Sequence, residues 1–144
     1  MVRHAEKASA EKDTPLSERG HARAKVLASM LEGAGVTRLV ATQYRRTQET
    51  LAPLAARLSL PVDVSPADKT RDLVAELRAA PDGAFVVVAT HSNVVPFVVE
   101  ELAGAKLRGV EGDALAEDDY ARVVVIAEPC GARAPYVLEL RSGD

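Results

Sequence analysis

The pattern of apolar and polar positions predicts alternating strands and helices over the first hundred residues. Residues 84–90 are almost continuously apolar, which indicates a strand buried on both faces, as in a parallel sheet covered by helices. Short segments at 38–42 and 61–64 predict two further strands. Helical spacing predicts four helices, over residues 17–32, 47–58, 68–80 and 93–103. This alternation favours an α/β fold, a three-layer α/β/α sandwich with a mostly parallel central sheet.

Three segments carry further structural detail. Ser17 followed by Glu18 is typical of a helix N-terminus, with a serine cap and an acidic first turn. The apolar residues with helical spacing in that first helix are Ala22, Val26, Leu27, Met30 and Leu31. Residues 122–127 and 136–140 predict two late strands at an antiparallel edge. The segment 107–119, rich in Gly, Glu and Asp, is expected to be a surface loop bordering the pocket.

Length and composition indicate an ordinary globular protein. The chain has 144 residues, which fits a single domain over 1–144, and 47% of the residues are apolar. A net charge of -3 gives no electrostatic case for a nucleic-acid or membrane partner, and the apolar runs are too short to span a bilayer. The lone Cys130 excludes an internal disulfide and a CxxC metal site. We expect a cytoplasmic protein, or an exported one if a signal segment precedes these residues. The sequence does not address the oligomeric state.

Chemically unusual residues follow three of the predicted strands. Arg3 and His4 come after a short opening strand, which leaves open a longer native N-terminus. Arg45-Arg46 follows the 38–42 strand, and His91 follows the 84–90 strand. Because ligands of open α/β sheets bind at the carboxyl ends of the strands, we expect these residues to meet at one edge.

The chemistry of this set points to phosphoryl transfer. Arginine forks match phosphate oxygens, and a neutral imidazole beside a phosphoryl group is a competent nucleophile. A second, protonated imidazole can offset the charge that develops in the transition state. A metal site is not expected, since His4 and His91 have only Glu6 as a nearby carboxylate and arginines repel a cation. His21, among basic residues of the first helix, is interpreted as a surface residue.

Four motifs in order give a family resemblance. They are Val2-Arg3-His4-Ala5-Glu6-Lys7, Pro15-Leu16-Ser17-Glu18-Arg19-Gly20, Tyr44-Arg45-Arg46-Thr47-Gln48-Glu49-Thr50 and Thr90-His91-Ser92-Asn93. Together they resemble the histidine phosphatase superfamily, also called phosphoglycerate mutase-like, over residues 2 to about 100. The resemblance implies a three-layer α/β/α fold and a phosphohistidine intermediate.

The resemblance also implies roles for single residues. His4 matches the nucleophile and His91 the second catalytic histidine, while Arg3 and Arg46 match the two phosphate-binding arginines. Ser92 and Asn93 are expected to add phosphate contacts at the start of the following helix, and Arg45 is a neighbour without an assigned role. Ala5 and Thr90 stand where the family usually has glycine, and alanine fits readily only where φ is negative.

The general acid is the open element of the site. Larger family members place a glutamate in an inserted segment between the second arginine and the second histidine, and residues 47–90 leave no room for one here. The acidic candidates are Asp68, Asp72, Glu76 and Glu6. Without a strong acid an oxygen leaving group is poorly served, whereas a phosphoramidate leaves once its nitrogen is protonated. The short chain therefore resembles the small phosphohistidine phosphatases more than the mutases.

These observations predict a metal-independent, cofactor-free phosphatase. Its substrate would be a phosphomonoester or a protein phosphohistidine, hydrolysed through a phosphohistidine on His4. Two alternatives stay open: a catalytically silent domain that binds a phosphorylated ligand, and, less favoured, a mutase of the phosphoglycerate type.

Overall fold

The computed structural model describes residues 1–129 and 134–143, and Cys130 lies outside them. Eight strands are present in these residues: β1 (Val2–Arg3), β2 (Arg38–Ala41), β3 (Val62–Val64), β4 (Val86–Thr90), β5 (Val110–Glu111), β6 (Ala114–Leu115), β7 (Arg122–Ala127) and β8 (Tyr136–Arg141). The helices are α1 (Glu18–Leu31), α2 (Arg45–Leu58), α3 (Thr70–Arg78) and α4 (Val94–Ala103).

Six of the strands form one central sheet in the order β3-β2-β4-β1-β7-β8. The first four run parallel, so that β4 lies between β2 and β1, with Val2 opposite Ala89 and Leu39 opposite Val87. The strands β7 and β8 are antiparallel to their neighbours and close one edge of the sheet. The predicted mostly parallel sheet with a late antiparallel edge is confirmed.

Helices cover both faces of the sheet, which gives the predicted three layers. Because successive strand residues point to opposite faces, Leu39 packs with α1 and α2, whereas Val40 packs with α3. The face covered by α1 and α2 buries Leu27, Leu31, Leu51, Leu54 and Val87. The face covered by α3 and α4 buries Leu73, Val88, Val74, Val98, Val95 and Val99.

The first helix forms as predicted, but it buries a different stripe. Ser17 caps it by accepting a hydrogen bond from the backbone N–H of Gly20 at 3.1 Å. Val26 and Met30 are 47% and 39% exposed, and Ala22 is exposed as well. The buried residues are Gly20, Ala24, Leu27, Ala28 and Leu31. Small residues dominate that face because α1 lies close to the segment that follows β1, where Ala24 packs on Ala5.

Helix boundaries near the sheet edge differ slightly from the predicted ones. Helix α2 begins at Arg45 rather than Thr47, so both arginines of the pair belong to its first turn. Helix α3 is shorter than the predicted 68–80 segment. Helix α4 begins at Val94 after Asn93, and it ends at Gly104, whose φ of 63° favours glycine.

The segment expected to be a surface loop at 107–119 is partly structured. It contains the β5-β6 hairpin, and Leu107 and Leu115 pack against Val95 and Val99 of α4. The expectation of a loop was wrong only for the two short strands, which form because Leu107 and Leu115 anchor them on α4, and the segment does border a groove. In the described part of the chain, no helix has the length and apolar character needed to cross a membrane.

Candidate active site

Three strand ends bring the predicted site residues to one edge of the sheet. His4 directly follows β1, and its backbone N–H donates to the carbonyl of Thr90 at 2.8 Å. His91 directly follows β4, the neighbouring strand. The two imidazole rings lie 5.6 Å apart between centroids, at an interplanar angle of 63°. The predicted convergence of the two histidines is therefore present in the structure.

The ring of His4 has one nitrogen hydrogen-bonded to the backbone and the other without a partner among the described residues. Its Nδ1 lies 2.8 Å from the carbonyl oxygen of Ala5, and since a carbonyl only accepts, Nδ1 carries the proton of the neutral ring. The lone pair therefore sits on Nε2. The pKa of His4 is lowered to about 3, chiefly by burial and also by the charges of Arg3 and Arg46, while the Ala5 hydrogen bond opposes this shift. His4 is thus a neutral imidazole at pH 7.

The ring of His91 is also neutral in the unliganded site. Burial lowers its pKa to about 4, with a further contribution from the positive charges of Arg46 and Arg3. Its Nε2 lies 3.0 Å from the Oγ1 of Thr42, a residue that follows β2. A bound dianion would reverse the electrostatic contribution and favour the protonated ring.

Arg3 is buried, with 7% of its surface exposed, and it connects the site to the segment after β6. Its NH1 donates to the carbonyls of Ala116 at 3.0 Å and Glu117 at 2.7 Å. Its guanidinium lies 4.2 Å over the ring of Tyr120. The Nε atom is buried and has no hydrogen-bond partner among the described residues.

Arg46 repeats this arrangement on the other side. Its NH1 donates to the carbonyl of Lys12 at 2.7 Å, and its guanidinium lies 4.5 Å over the ring of Tyr44. Its Nε is likewise buried without a partner in the described part of the chain. Arg45 instead points away from the site, where it is exposed and pairs with Glu49 at 3.4 Å.

The two unpartnered Nε–H groups indicate an anion site. A buried donor without an acceptor costs free energy, and native structures rarely leave one so. Here Arg3 and Arg46 each leave one such donor while flanking the same histidine pair. An oxyanion with several acceptor oxygens, such as a phosphoryl group, would satisfy both arginines at once.

Sequence reasoning missed two tyrosines at this site. The ring of Tyr44 lies 5.4 Å from that of His91, and the ring of Tyr120 lies 6.1 Å from that of His4. The position of Tyr44, directly before an arginine pair at a helix start, was the available signal. Nothing local to Tyr120 indicates its place, because it reaches the site from more than one hundred residues away.

Comparisons with known proteins give a match in sequence and several in structure. Residues 1–69 match the model of the histidine phosphatase superfamily (branch 1). This segment, 69 of the 144 residues, is similar in sequence to that superfamily. A search among curated proteins found no match.

Several solved structures share the fold of this chain. The protein histidine phosphatase SixA, complexed with tungstate, superposes with a TM-score of 0.74 at 20% identity, covering 98% of this chain and 94% of that one. The structure of mycobacterial hydrolase 2 gives a TM-score of 0.69 at 18% identity, with coverage of 96% and 87%. A mycobacterial glucosyl-3-phosphoglycerate phosphatase gives 0.63 at 20% identity, with coverage of 76% and 80%. At these identities the likeness shows the fold.

Alanine fits without backbone strain at position 5, where the family that the sequence resembles usually has glycine. Ala5 is buried beside Leu16 and Ala24, and its φ is not in the left-handed region. Its backbone N–H donates to Thr50 Oγ1 at 2.9 Å, and Thr50 in turn donates to the carbonyl of Arg46 at 2.7 Å. This threonine ties the loop that carries His4 to the helix that carries Arg46.

Two of the four acid candidates are engaged elsewhere. Glu6 accepts hydrogen bonds from Arg23 at 2.7 Å and 3.0 Å, and these outweigh its burial so that the pKa of Glu6 is lowered. A carboxyl held ionised in this way is a poor proton donor. Glu76 pairs with Arg38 at 3.3 Å. Because Arg38 begins β2, Glu76 lies toward the amino end of that strand, opposite the histidine pair.

The other two acid candidates line a neighbouring groove. Asp68 and Asp72 border a groove of about 940 Å³ between the N-terminus of α3, the helix α4 and the β5-β6 hairpin. Asn93 also borders it, whereas neither histidine is part of its lining. Ser92 follows His91, and its carbonyl accepts a hydrogen bond from the backbone of Leu115 at 3.0 Å. The predicted phosphate contacts of Ser92 and Asn93 stay predictions.

The described residues contain no cluster of three or more His, Cys, Asp or Glu side chains that could hold a metal ion. The charged side chains nearest to His4 and His91 are the two arginines. The site thus presents positive charge and neutral imidazoles to a ligand.

Proposed function

We propose that this chain is a phosphatase that forms a covalent phosphohistidine on His4. The observation that carries the proposal is the free lone pair on Nε2 of His4, close to two arginines whose buried Nε–H groups have no partner among the described residues. A neutral nucleophile next to an anion-binding pair of guanidinium groups meets the requirements of phosphoryl transfer. The similarity of residues 1–69 to the histidine phosphatase superfamily supports the same chemistry.

The proposed reaction has two displacements. First, Nε2 of His4 attacks phosphorus, the bond to the leaving oxygen or nitrogen breaks, and the leaving group takes the proton that His91 carries while the phosphoryl group is bound. Second, water attacks the phosphorylated His4, the P–N bond breaks with its electron pair returning to Nε2, and inorganic phosphate departs. Arg3 and Arg46 would stabilise the phosphoryl oxygens in both steps, and His91 would donate a hydrogen bond when protonated.

The substrate is proposed to be a phosphorylated protein or small molecule. Among the described residues, no carboxylate forms an ion pair or hydrogen bond with either histidine ring. A leaving group that is easily protonated, such as the imidazole of a protein phosphohistidine, suits a site without such an acid. The solved structure of SixA is of a protein histidine phosphatase, which accords with this class of substrate.

We propose that the arginines and imidazoles balance the negative charge of the bound phosphoryl group, so that no metal is required. We also propose that residues 1–144 act as one domain. The cytoplasmic location stays a prediction.

Turnover in the presence of EDTA tests this proposal. We expect hydrolysis of a generic aryl phosphate or of a phosphohistidine-bearing protein, abolished in His4→Ala and retained in His21→Ala, whose exposed side chain lies on α1. Binding of phosphate without any turnover on either substrate would favour the silent binding domain. Transfer of phosphate between hydroxyls of a sugar acid would favour the mutase, and strict dependence on a divalent metal would contradict the mechanism.

A further inference from the structure

A chain of buried hydroxyls leads from the helix α2 to His91. Thr47 is fully buried and Thr42 is 4% exposed. The Oγ1 of Thr47 lies 2.7 Å from the carbonyl oxygen of Tyr44 and 3.0 Å from that of Thr42. The Oγ1 atoms of the two threonines are 2.9 Å apart, and Thr42 Oγ1 is 3.0 Å from Nε2 of His91.

The number of available protons determines which atom donates in each hydrogen bond of this series. A hydroxyl has one proton, and a carbonyl oxygen can only accept, so Thr47 donates its proton to a backbone carbonyl. The Oγ1 of Thr47 is then an acceptor, and Thr42 must donate to it. With its single proton used, Thr42 can only accept from His91, which requires a proton on Nε2.

The opposite direction leaves a buried contact without a proton. If Thr42 donated to His91, either the two threonine oxygens would face each other at 2.9 Å without a hydrogen, or Thr47 would donate to Thr42 and its oxygen would face the carbonyls of Tyr44 and Thr42 at 2.7 Å and 3.0 Å without one. A lone-pair contact of this kind, in a position where Thr47 has no access to water, is unfavourable. The hydrogen-bonded geometry is therefore consistent with one direction only.

We infer that Thr42 and Thr47 hold His91 in its Nε2–H tautomer and leave Nδ1 as the nitrogen that exchanges a proton during the reaction. No described residue hydrogen-bonds Nδ1 of His91. The chemical consequence rests on the proposed function: Nδ1 takes the proton of the attacking water as its oxygen bonds to phosphorus and the P–N bond to His4 breaks. Thr42 is then a positioning residue for His91.

The two histidines would therefore carry their protons on opposite nitrogens. His4 is protonated on Nδ1 by its bond to the Ala5 carbonyl and attacks through Nε2. His91 is protonated on Nε2 by its bond to Thr42 and exchanges protons through Nδ1. Each ring thus has one nitrogen fixed by the fold and one left for chemistry.

Nitrogen-15 NMR of the imidazole rings at pH 7 tests this inference in the unliganded protein. The chain has three histidines, so His4→Asn and His21→Asn variants assign all the ring signals. We expect the Nε2–H pattern for His91 and the Nδ1–H pattern for His4. In Thr47→Val, the proton of Thr42 becomes free to point at His91, and we expect its ring to shift toward Nδ1–H. Thr42→Ser keeps the hydroxyl and should keep the pattern.

Kinetics of the same variants give the second measurement. Thr42→Val should lower kcat about tenfold, the factor that corresponds to one ordinary hydrogen bond, with KM little changed. Thr42→Ser should restore most of kcat, which a purely steric role for the valine methyl group would not predict. An unchanged His21 signal in each variant shows that the fold is intact.

The outcomes separate this inference from the proposed function. An Nδ1–H pattern for His91 in the unmodified protein, or a ring unaffected by both Thr47→Val and Thr42→Val, would overturn the inference even if phosphate is hydrolysed. An Nε2–H pattern that shifts in Thr47→Val, in a protein without phosphatase activity, would support the tautomer and remove the proposed function.

Discussion

Replacing His4 with asparagine should change how the stability of this protein depends on pH. His4 is 4% exposed, and burial lowers its pKa to about 3, whereas the imidazole of an unfolded chain titrates near 6.5. Between these values the unfolded state binds a proton that the folded state does not. Stability from this residue is therefore complete above about pH 6.5 and is lost as the pH falls toward 3.

The size of this loss of stability follows from the pH interval between the two pKa values. Each pH unit within it costs about 1.4 kcal/mol of unfolding free energy, and between pH 7 and pH 5 the sum is about 2 kcal/mol. In His4→Asn this contribution is absent. The unfolding free energy of the variant should then fall by about 2 kcal/mol less than that of the unmodified protein over the same interval.

Urea unfolding at pH 7, 6 and 5 measures this difference. Comparing the two proteins at each pH cancels the titration of all other groups, and His21→Asn, on the exposed face of α1, serves as the matched control. The same neutral ring that costs stability at low pH keeps Nε2 available as a nucleophile at pH 7. Parallel pH profiles for the unmodified protein and His4→Asn would refute the reasoning.

Three further substitutions probe the scaffold of the site. Gly20→Ala places a Cβ atom 2.3 Å from a backbone oxygen and should destabilise the fold by about 1–3 kcal/mol in thermal or urea unfolding, whereas Gly33→Ala meets no atom within 4 Å and should not. Tyr120→Leu removes a ring 4.2 Å from a guanidinium and should raise KM for an aryl phosphate about two- to fivefold, while Tyr136→Leu on the exposed edge strand should leave KM unchanged. Arg46→Lys should lower kcat/KM by at least about tenfold, because lysine loses the planar fork; equal activity would argue for charge alone.

Local signals predicted most of the secondary structure. The continuous apolar run ending at Thr90 predicts β4 because only a doubly covered strand buries every side chain. The serine at position 17 predicts the start of α1 because its hydroxyl replaces a missing backbone acceptor. These features depend on residues within a few positions of each other, and the sequence contains them in full.

Contacts between segments that are far apart in the sequence could not be predicted from local patterns. The buried stripe of α1 follows Ala24 and Ala28 because close packing favours small side chains, and apolar size alone pointed to Val26 and Met30. The β5-β6 hairpin has strands of two residues, too short to show a period. Its place depends on packing against α4, which the segment itself does not reveal.

The candidate site likewise has some features that local sequence predicts and others that depend on distant segments. The rule that ligands lie at the carboxyl ends of parallel strands predicts from the sequence that His4 and His91 lie at one edge of the sheet. The carbonyls that hold Arg3 and the ring of Tyr120 come from residues 113 to 117 positions away. Such partners depend on how β7 and its preceding segment return to β1, and no local pattern encodes that return.

Trapping the phosphorylated protein tests the central proposal most directly. The protein would be mixed with a labelled aryl phosphate or phosphohistidine protein in EDTA, quenched in alkali within the first turnover, and digested for peptide mapping. The account predicts one acid-labile phosphoryl group on His4, absent from His4→Ala and present in His21→Ala. Turnover without any protein-bound phosphate, or with the label on another residue, would contradict it.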